Sequence, residues 1–342
     1  MCLEESTYLS AIIEISFIDL AHASTAWRQH GEWHMDLVQL RYFLKVVELR
    51  SITKAAEALH IAQPAVTRQI RQLEEELGVQ LLSRHSRGAE PTAAGLQLKA
   101  GAQAMLRLAQ ETRTNVQASA DQVVGVIRIG FPPSVGAALI ARSAATFRNQ
   151  YPLTSVELHE GYSTALRDAL LSDKLDIAVL TDATPNPLLE ITPLYEECLW
   201  VFYKPGLIRL PGRKSAAIPL EALREVPLVQ PGPENTLRRL LERTAQNGGF
   251  NLTVVLQSES LSVIRSLLEY EAGAHVSPYT ALESELKAGS IEGRQIEGLW
   301  VTRSLARRVD RPMTTAQERF MGTLRQRICE LRALAAGMLR RP

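Results

Sequence analysis

Apolar residues recur every three or four positions in three successive segments after residue 35, which predicts three helices. Asp36 is placed to cap the first helix, Pro64 sits in the first turn of the third, and Gly78 ends that third helix. The predicted inward faces are Leu37, Leu40, Leu44 and Val47, then Ile52, Ala55, Ala56 and Leu59, and finally Val66, Ile70, Leu73 and Leu77. Residues 81–92 are short and rich in turn formers, and we expect them to form a hairpin-like wing.

Two short helices, a tight break and a third helix with its own inward face are typical of a helix-turn-helix, in which the later helix enters the major groove of DNA. The outward face of the third helix carries side chains that suit base reading, because Gln pairs with adenine edges and Arg with guanine edges. Arg84 and Arg87 lie on the predicted wing, where arginines can reach phosphates or a narrow minor groove. An ordinary solvated helix face and a solvated turn are the alternatives.

A long helix is expected to follow, capped by Thr92 and running to about Ala120. Its weakly apolar stripe suits a partner helix, so the chain is expected to form at least a homodimer. The stripe consists of Ala94, Leu98, Gly101, Met105, Leu108 and Thr112. The alternative is that this stripe packs on its own domain.

From residue 124 the pattern changes to short strands that alternate with helices, which indicates parallel sheets covered by helices. The predicted strands are Val126–Ile129, Val156–His159, Ile177–Leu180, Leu199–Tyr203, Leu228–Gln230, Thr253–Leu256, Ala274–Val276, Ile291–Ile296 and Leu299–Arg303. The predicted helices are Val135–Asn149, Thr164–Leu171, Thr236–Asn247, Leu261–Glu269 and Thr314–Ala336.

Composition narrows the functional classes. The 342 residues allow about two domains, and a net charge of +1 gives no global field for nucleic acid. The three cysteines lie far apart, which argues against a disulfide framework, a metal site or a redox pair. The sequence lacks GxSxG, GxGxxG, P-loop and HExxH motifs, so we expect neither an enzyme nor a bound cofactor. It also lacks a basic leader and a long apolar run, which favours a cytoplasmic protein without a membrane partner.

One stretch carries a family resemblance. Gln39-Leu-Arg-Tyr-Phe, followed by SITKAAEALHIAQPAVTRQIRQLEEELGVQLLSRHSRGAEPTAAG from Ser51 to Gly95, closely resembles the signature of LysR-type transcriptional regulators. The resemblance implies that the third helix and the wing bind double-stranded promoter DNA. It also implies that two dimers can join through their sensing domains, so that the chain forms a homodimer or a homotetramer. The candidate DNA-contacting residues are Gln63, Pro64, Ala65, Thr67, Arg68, Arg71, Arg84 and Arg87.

The resemblance also implies the fold class: an α/β protein with an N-terminal all-α winged helix-turn-helix, a long linker helix and two Rossmann-like subdomains that resemble a type 2 periplasmic binding protein. The expected parts are a disordered extension at 1–34, a DNA-binding domain at 35–92, a linker at 93–122 and an effector domain at 123–342. Within the effector domain, subdomain I is expected at 123–195 and 299–342 and subdomain II at 196–298. The crossings between them are placed near residues 193–197 and near Gly298.

The resemblance implies a small-molecule effector in the cleft between the two subdomains. This location agrees with the rule that ligands of parallel α/β sheets bind beyond the carboxyl ends of the strands. The candidate effector-binding residues at those ends are Ser134, Ser163, Thr164, Gln230, Asn235 and Thr236. Hydroxyls at the start of helices can present an anion site, although capping of the helix is the simpler alternative. Glu271 and Ser277 make one edge more polar than is usual in the family. A regulator that needs no ligand and a solute-binding transport protein remain alternatives.

Overall fold

The computed structural model describes residues 35–85, 88–117, 122–213, 215–335 and 337–342. The extension expected at residues 1–34 lies outside them, as does the wing residue Arg87. The chain divides into two compact units, of which the first ends at Gln110 and the second begins at Glu111. Each unit has its own core.

The first unit contains three short helices, a hairpin and the start of a long helix. They are α1 (Leu37–Leu49), α2 (Ile52–Leu59), α3 (Gln63–Leu77), β1 (Leu82–His85), β2 (Gly88–Pro91) and α4 (Ala93–Gln117). Asp36 caps α1 through a capping box with Gln39, and Gly78 ends α3 in the left-handed conformation, as predicted. The N–H of Gly95 donates to the Thr92 hydroxyl, so Thr92 caps α4. The predicted helices, wing and caps are therefore present.

The buried face of α1 differs from the predicted one. Leu40, Phe43, Val46 and Val47 are buried, whereas Leu37 is 46% exposed. Leu40, Phe43 and Val47 form an i, i+3, i+7 stripe that includes the aromatic ring, and this ring has the larger apolar surface to remove from water. In α3, Val66, Ile70 and Leu73 are buried as predicted, and Leu77 is partly buried against the same core.

The predicted stripe of α4 divides in two. Ala94 and Leu98 pack against the core of the first unit, and Ala102 is completely buried in it. Met105 and Leu108 are 41% and 46% exposed. The alternative that the stripe packs on its own domain therefore holds for its first half only.

The second unit is an α/β unit. Its strands are β3 (Gly125–Phe131), β4 (Thr154–Glu160), β5 (Ile177–Thr181), β6 (Leu189–Tyr203), β7 (Leu228–Gln230), β8 (Val254–Gln257), β9 (His275–Pro278), β10 (Glu292–Arg308) and β11 (Leu339–Arg340). Its α-helices are α5 (Pro133–Val135), α6 (Arg142–Gln150), α7 (Ser163–Leu171), α8 (Thr236–Asn247), α9 (Leu261–Glu269), α10 (Glu283–Ala288) and α11 (Thr315–Leu334). A π-helical turn, Gly136–Ala141, joins α5 to α6.

Two long antiparallel strands, β6 and β10, form the centre of this unit. The main sheet has the order β11-β6-β10-β5-β3-β4, and β9 also pairs with β6. The pairs β3–β4, β3–β5 and β7–β8 are parallel as predicted, whereas the pairs made by β6 and β10 are antiparallel. The two late strands predicted before and after Gly298 are one strand, whose register shifts between Gln295 and Trp300.

The two long strands pass between two apolar cores. One core includes Ile127, Phe147 and Phe320, and the other includes Leu199, Leu241 and Val276. β10 contributes Leu305 to the first core and Val301 to the second. Both predicted crossing points, residues 193–197 and Gly298, lie within β6 and β10. We call the parts around these cores the first and second lobes.

Candidate functional site

The outward face of α3 is a polar surface at the start of the helix. Arg68 and Arg71 are exposed, and Thr67 is half-buried. The amide of Gln63 donates to the Thr67 hydroxyl at 3.3 Å, which orders the first turn. Within the described residues, neither Arg68 nor Arg71 forms an ion pair, so both guanidinium groups can reach a nucleic acid. The remaining candidates of this helix, Pro64 and Ala65, are exposed beside them.

Arg84 of the wing has a partner within the unit. Its guanidinium lies 3.2 Å from a carboxylate oxygen of Glu74 on α3. The other carboxylate oxygen of Glu74 accepts the backbone N–H groups of Leu81 and Leu82. Glu74 therefore fixes the base of the wing to α3, and Arg84 takes part in that attachment.

A cavity lies between the two lobes of the second unit, at the ends of strands β3, β5 and β7. The space between its lining atoms is about 590 Å³ with the mouth included. Four of the six candidate effector residues line it: Ser134, Ser163, Asn235 and Thr236. Prolines, Leu237, Leu261 and Ile264 supply most of the remaining wall, so the cavity is largely apolar with a few polar groups.

Among the described residues that line the cavity, Arg303 is the only charged side chain, and a buried carboxylate compensates its charge. Arg303 is 1% exposed and lies 3.3 Å from the carboxylate of Glu197, which is completely buried. The same guanidinium donates to the hydroxyls of Ser134 and Thr181. The second carboxylate oxygen of Glu197 accepts the N–H of Thr280 at 2.6 Å. Each group of the pair is thus hydrogen-bonded, as a buried ion pair requires.

Ser134 and Ser163 do not cap helices. Ser134 lies inside α5, and its hydroxyl oxygen accepts from Arg303 at 2.8 Å. Ser163 is the first residue of α7, and its hydroxyl accepts the N–H of Thr181 and donates to the carbonyl of the same residue. The hydroxyl of Ser134 retains its own proton for a ligand, whereas that of Ser163 is largely used by the protein.

Asn235, rather than Thr236, caps α8. Its side-chain oxygen accepts the N–H groups of Leu237 and Arg238, and this leaves the Thr236 hydroxyl on the cavity wall. The capping alternative for Thr236 is therefore wrong. The Asn235 carbonyl is occupied by the helix, so only its amide N–H groups can meet a ligand.

Gln230 and Thr164 do not line the cavity. Gln230 is completely buried, and its amide, in the orientation that satisfies both of its ends, bonds the backbone N–H and carbonyl of Val276. It ties β7 to β9 and does not line this cavity, so its contact with an effector stays a prediction. Thr164 is exposed and faces a separate groove on the other side of Ser163, because consecutive residues at a helix start point about 100° apart.

Ser277 is a buried polar residue of the cavity wall whose hydroxyl lacks a partner. It is 3% exposed and lies on β9, and its hydroxyl makes no hydrogen bond within the described residues. His275, two residues earlier, is buried with Nδ1 2.8 Å from the carbonyl of Val229, and burial lowers its pKa to about 4. The imidazole is therefore neutral at pH 7. A buried hydroxyl without a partner costs free energy, and a ligand in this cavity would relieve that cost.

Tyr162 lines the cavity and bonds across the two lobes. Its hydroxyl donates to the carbonyl of Glu259 at 2.7 Å, which joins a loop of the first lobe to a loop of the second. Burial and the charges of Glu259 and Glu160 raise the pKa of the phenol, so it stays protonated and remains a donor. This bond is a contact that an entering ligand can displace.

Sequence reasoning missed Arg303, Glu197 and Tyr162, although two of them carry a signal. Arg303 is two residues from the buried Val301 and from the buried Leu305, so it shares their face of the strand. Glu197 likewise shares a strand face with the buried Tyr195 and Leu199. A charge in the inward phase of an apolar strand indicates a paired or functional group, because an unpaired buried charge is too costly.

Comparison with known proteins identifies the family. A family model described as the LysR substrate binding domain matches residues 120–329. A second, described as a bacterial regulatory helix-turn-helix protein of the lysR family, matches residues 37–96. The chain belongs to the LysR family of transcriptional regulators. The resemblance and the fold class expected from the sequence are thereby confirmed.

Curated relatives of this LysR-type regulator are regulatory proteins. It is 34% identical over 251 residues to the nitrogen assimilation regulatory protein nac of Klebsiella aerogenes, covering 73% of this chain and 80% of the relative. It is 30% identical over 260 residues to the nac protein of Escherichia coli K12, covering 76% and 83%.

Solved structures show the same fold. Full-length CbnR, in complex with its target DNA, matches 86% of the regulator and 100% of its own chain, with a TM-score of 0.64 and 23% identity. Full-length OxyR of Pseudomonas aeruginosa matches 87% and 95%, with a TM-score of 0.63 and 24% identity. None of the regulator's described helices combines the length and apolarity needed to cross a bilayer. Among its described residues, no cluster of His, Cys, Asp and Glu could hold a metal ion.

Proposed function

We propose that this LysR-type regulator reads DNA with the exposed start of α3 and with the wing, and that an effector in the cavity between the lobes controls it. The proposed parts are the DNA-binding domain at 35–92, the linker at 93–122 and the effector domain at 123–342. The regulator acts in the cytoplasm and without catalysis. The unpartnered hydroxyl of Ser277 in a largely apolar cavity is the observation that supports the effector site best.

The wall determines the class of effector. Arg303, the cationic side chain of the wall, is already paired with Glu197. A ligand with several negative charges would therefore lose its hydration without gaining a counter-charge. Apolar side chains and hydroxyls suit a small molecule with an apolar body and one polar head. The proposed effector therefore carries at most one negative charge, and Ser134, Thr236 and Ser277 bind its head.

Ser277→Ala is the sharpest test of the effector site. Because the hydroxyl has no protein partner, its removal leaves the stability of the empty protein unchanged or slightly higher. A thermal-shift screen of small apolar molecules with one polar group first identifies a ligand. Calorimetry should then show that Ser277→Ala loses roughly 0.5–1.5 kcal/mol of affinity, as expected for one neutral hydrogen bond.

Ser266→Ala is the matched control, because Ser266 is exposed on α9 and bonds only its own helix. Equal affinities of the wild type and both variants would contradict the proposed role of Ser277. Ser134→Ala and Ser163→Ala are poorer tests, because both hydroxyls also hold the protein together.

The DNA surface is tested with labelled promoter DNA. Arg68→Ala should lose about 1–3 kcal/mol on a specific site if the guanidinium reads a base. Lys45→Ala is the control, since Lys45 lies on α1 and pairs with Glu48. If Arg68→Ala binds the operator as the wild type does while remaining folded, the assignment of α3 is wrong.

We also propose that two copies bind together, because a two-fold symmetric site needs two helix-turn-helix units. The 25-residue helix α4 exposes Leu96, Met105 and Leu108, and it is long enough to pair with its counterpart in a second copy.

A further inference from the structure

A second groove lies beside the effector cavity, between helices α7 and α8. Ser163, Thr181 and Thr236 line both spaces and separate them. The groove encloses about 990 Å³ with its open side included. Thr164, which sequence reasoning assigned to the effector, lies here.

The groove is built from regular positions of the two helices. Ser163 and Arg167 are one turn apart on α7, and Thr236, Arg239 and Arg243 follow at i, i+3 and i+7 on α8. Residues at these spacings share one face of a helix. The floor is the segment that follows β5, where Asp182 accepts the N–H of Thr302 at 2.8 Å.

The charges of this groove are unbalanced. Arg167, Arg239 and Arg243 line it against the single carboxylate of Asp182. Arg167 lies 3.5 Å from Asp168, and Arg239 lies 3.6 Å from Glu234, which is 97% exposed. Such loose surface pairs contribute about 0–1 kcal/mol and exchange readily. Arg243, which also lines the groove, forms no ion pair with any described residue.

We propose that this groove binds a multivalent oxyanion, a phosphate or polycarboxylate group of a small metabolite, through Arg167, Arg239 and Arg243. Guanidinium groups bind such oxygens in bidentate pairs. The first turns of α7 and α8 add hydroxyls and the positive ends of two helix dipoles. Tyr162, which precedes α7, gives no side-chain cap, so the first N–H groups of that helix are not used by a cap.

The cavity and the groove therefore suit ligands that differ in charge. The cavity offers one compensated cation in an apolar wall, whereas the groove offers three arginines and five hydroxyl-bearing residues around one carboxylate. Both spaces bridge α7 of the first lobe and α8 of the second. An anion in the groove would join the same two helices that an effector in the cavity joins.

Titration calorimetry of the full chain at constant ionic strength tests the proposal. The probes are pyrophosphate and tricarballylate, which separate phosphate from carboxylate sources, with chloride as the monovalent reference. We expect saturable binding of at least one multivalent probe. Arg243→Gln should weaken it by about tenfold or more, as the loss of a charge-assisted pair predicts. Arg319→Gln, an exposed arginine on α11, should not weaken it.

Asp182→Asn gives a change in the opposite direction. Asn keeps the acceptor for Thr302 and tolerates the positive φ of 43° at this position, so the fold is preserved. Removal of the only lining carboxylate should tighten anion binding. Ser277→Ala should leave the anion affinity unchanged, which separates this proposal from that for the effector cavity. Absence of saturable binding, or equal losses in Arg243→Gln and Arg319→Gln, would overturn it.

Discussion

The buried pair of Glu197 and Arg303 makes Glu197→Gln the most informative single substitution. The amide keeps the volume of the carboxylate and can still accept the N–H of Thr280. It removes the counter-charge of a guanidinium that is 1% exposed. A guanidinium group keeps its proton in proteins, so the positive charge remains in place. The substitution therefore leaves an uncompensated charge in the crossing region of the two lobes.

The expected cost is about 3–5 kcal/mol, the usual result of removing one partner from a buried ion pair. For a unit of this size, that corresponds to a fall in Tm of roughly 6–20 °C. Glu196→Gln is the matched control, because Glu196 is the preceding residue of the same strand and faces outward. In its pair with Arg340 the two side chains are 25% and 55% exposed, so solvent screens the pair and its loss should cost about 0.2–1 kcal/mol.

Urea unfolding followed by circular dichroism measures both variants. The double variant Glu197→Leu/Arg303→Met removes both charges and should recover much of the stability, since apolar residues often replace a buried pair at little cost. If Glu197→Gln and Glu196→Gln lose equal stability, the buried pair is worth no more than the solvent-screened pair, and the reasoning is wrong. A double variant as unstable as Glu197→Gln alone would point to lost hydrogen bonds instead.

Three further results are expected. The pKa of His275 is about 4 when folded and near 6.5 when unfolded, so only the unfolded chain takes up this proton between pH 6.5 and 4. The neutral imidazole therefore contributes roughly 3 kcal/mol to the free energy of unfolding above pH 6.5, and this contribution should be lost as the pH falls to 4. In urea unfolding, His275→Gln should make the free energy of unfolding less dependent on pH in this range. Gly95→Ala should destabilise the first unit, because its Cβ would lie 2.1 Å from the carbonyl oxygen just before β1. Gly101→Ala in the same helix meets only a flexible side chain at 3.9 Å and should raise the Tm. Met105→Glu should shift sedimentation towards monomer, whereas Gln103→Glu should not.

Local patterns predicted many elements to the residue. The strand Leu228–Gln230 and the helices Thr236–Asn247 and Leu261–Glu269 have the predicted bounds, because strong caps and clear periods mark them. The first half of β6 was missed, since Pro193, Glu196 and Glu197 interrupt its alternation. Its partner β10 was divided at Gly298, whose φ of 67° looks like a turn in the sequence but lies at the register shift. Non-local pairing overrides local preference in both strands.

The candidate site was predictable in position but not in detail. The rule that ligands lie beyond strand ends brought Ser134, Ser163 and Thr236 to one cavity. It could not distinguish the directions of Ser163 and Thr164, because this depends on the exact start of α7. It also could not show that Gln230 turns towards the backbone of Val276. Arg303 comes from a strand far along the chain, and only the tertiary fold brings it to Ser134.

The contacts around the cavity indicate what an effector can change. A ligand shifts an equilibrium only through interactions that differ between the empty and occupied states. Glu197 and Arg303 already have hydrogen-bond partners within the protein, so a bound ligand adds little interaction energy at this pair. Ser277 gains a bond only when a ligand is present, and the bond from Tyr162 to the carbonyl of Glu259 is the one an entering ligand can exchange. We therefore expect the buried pair to hold the two lobes together in both states, while Ser277 and Tyr162 make the closure of the cavity depend on the ligand.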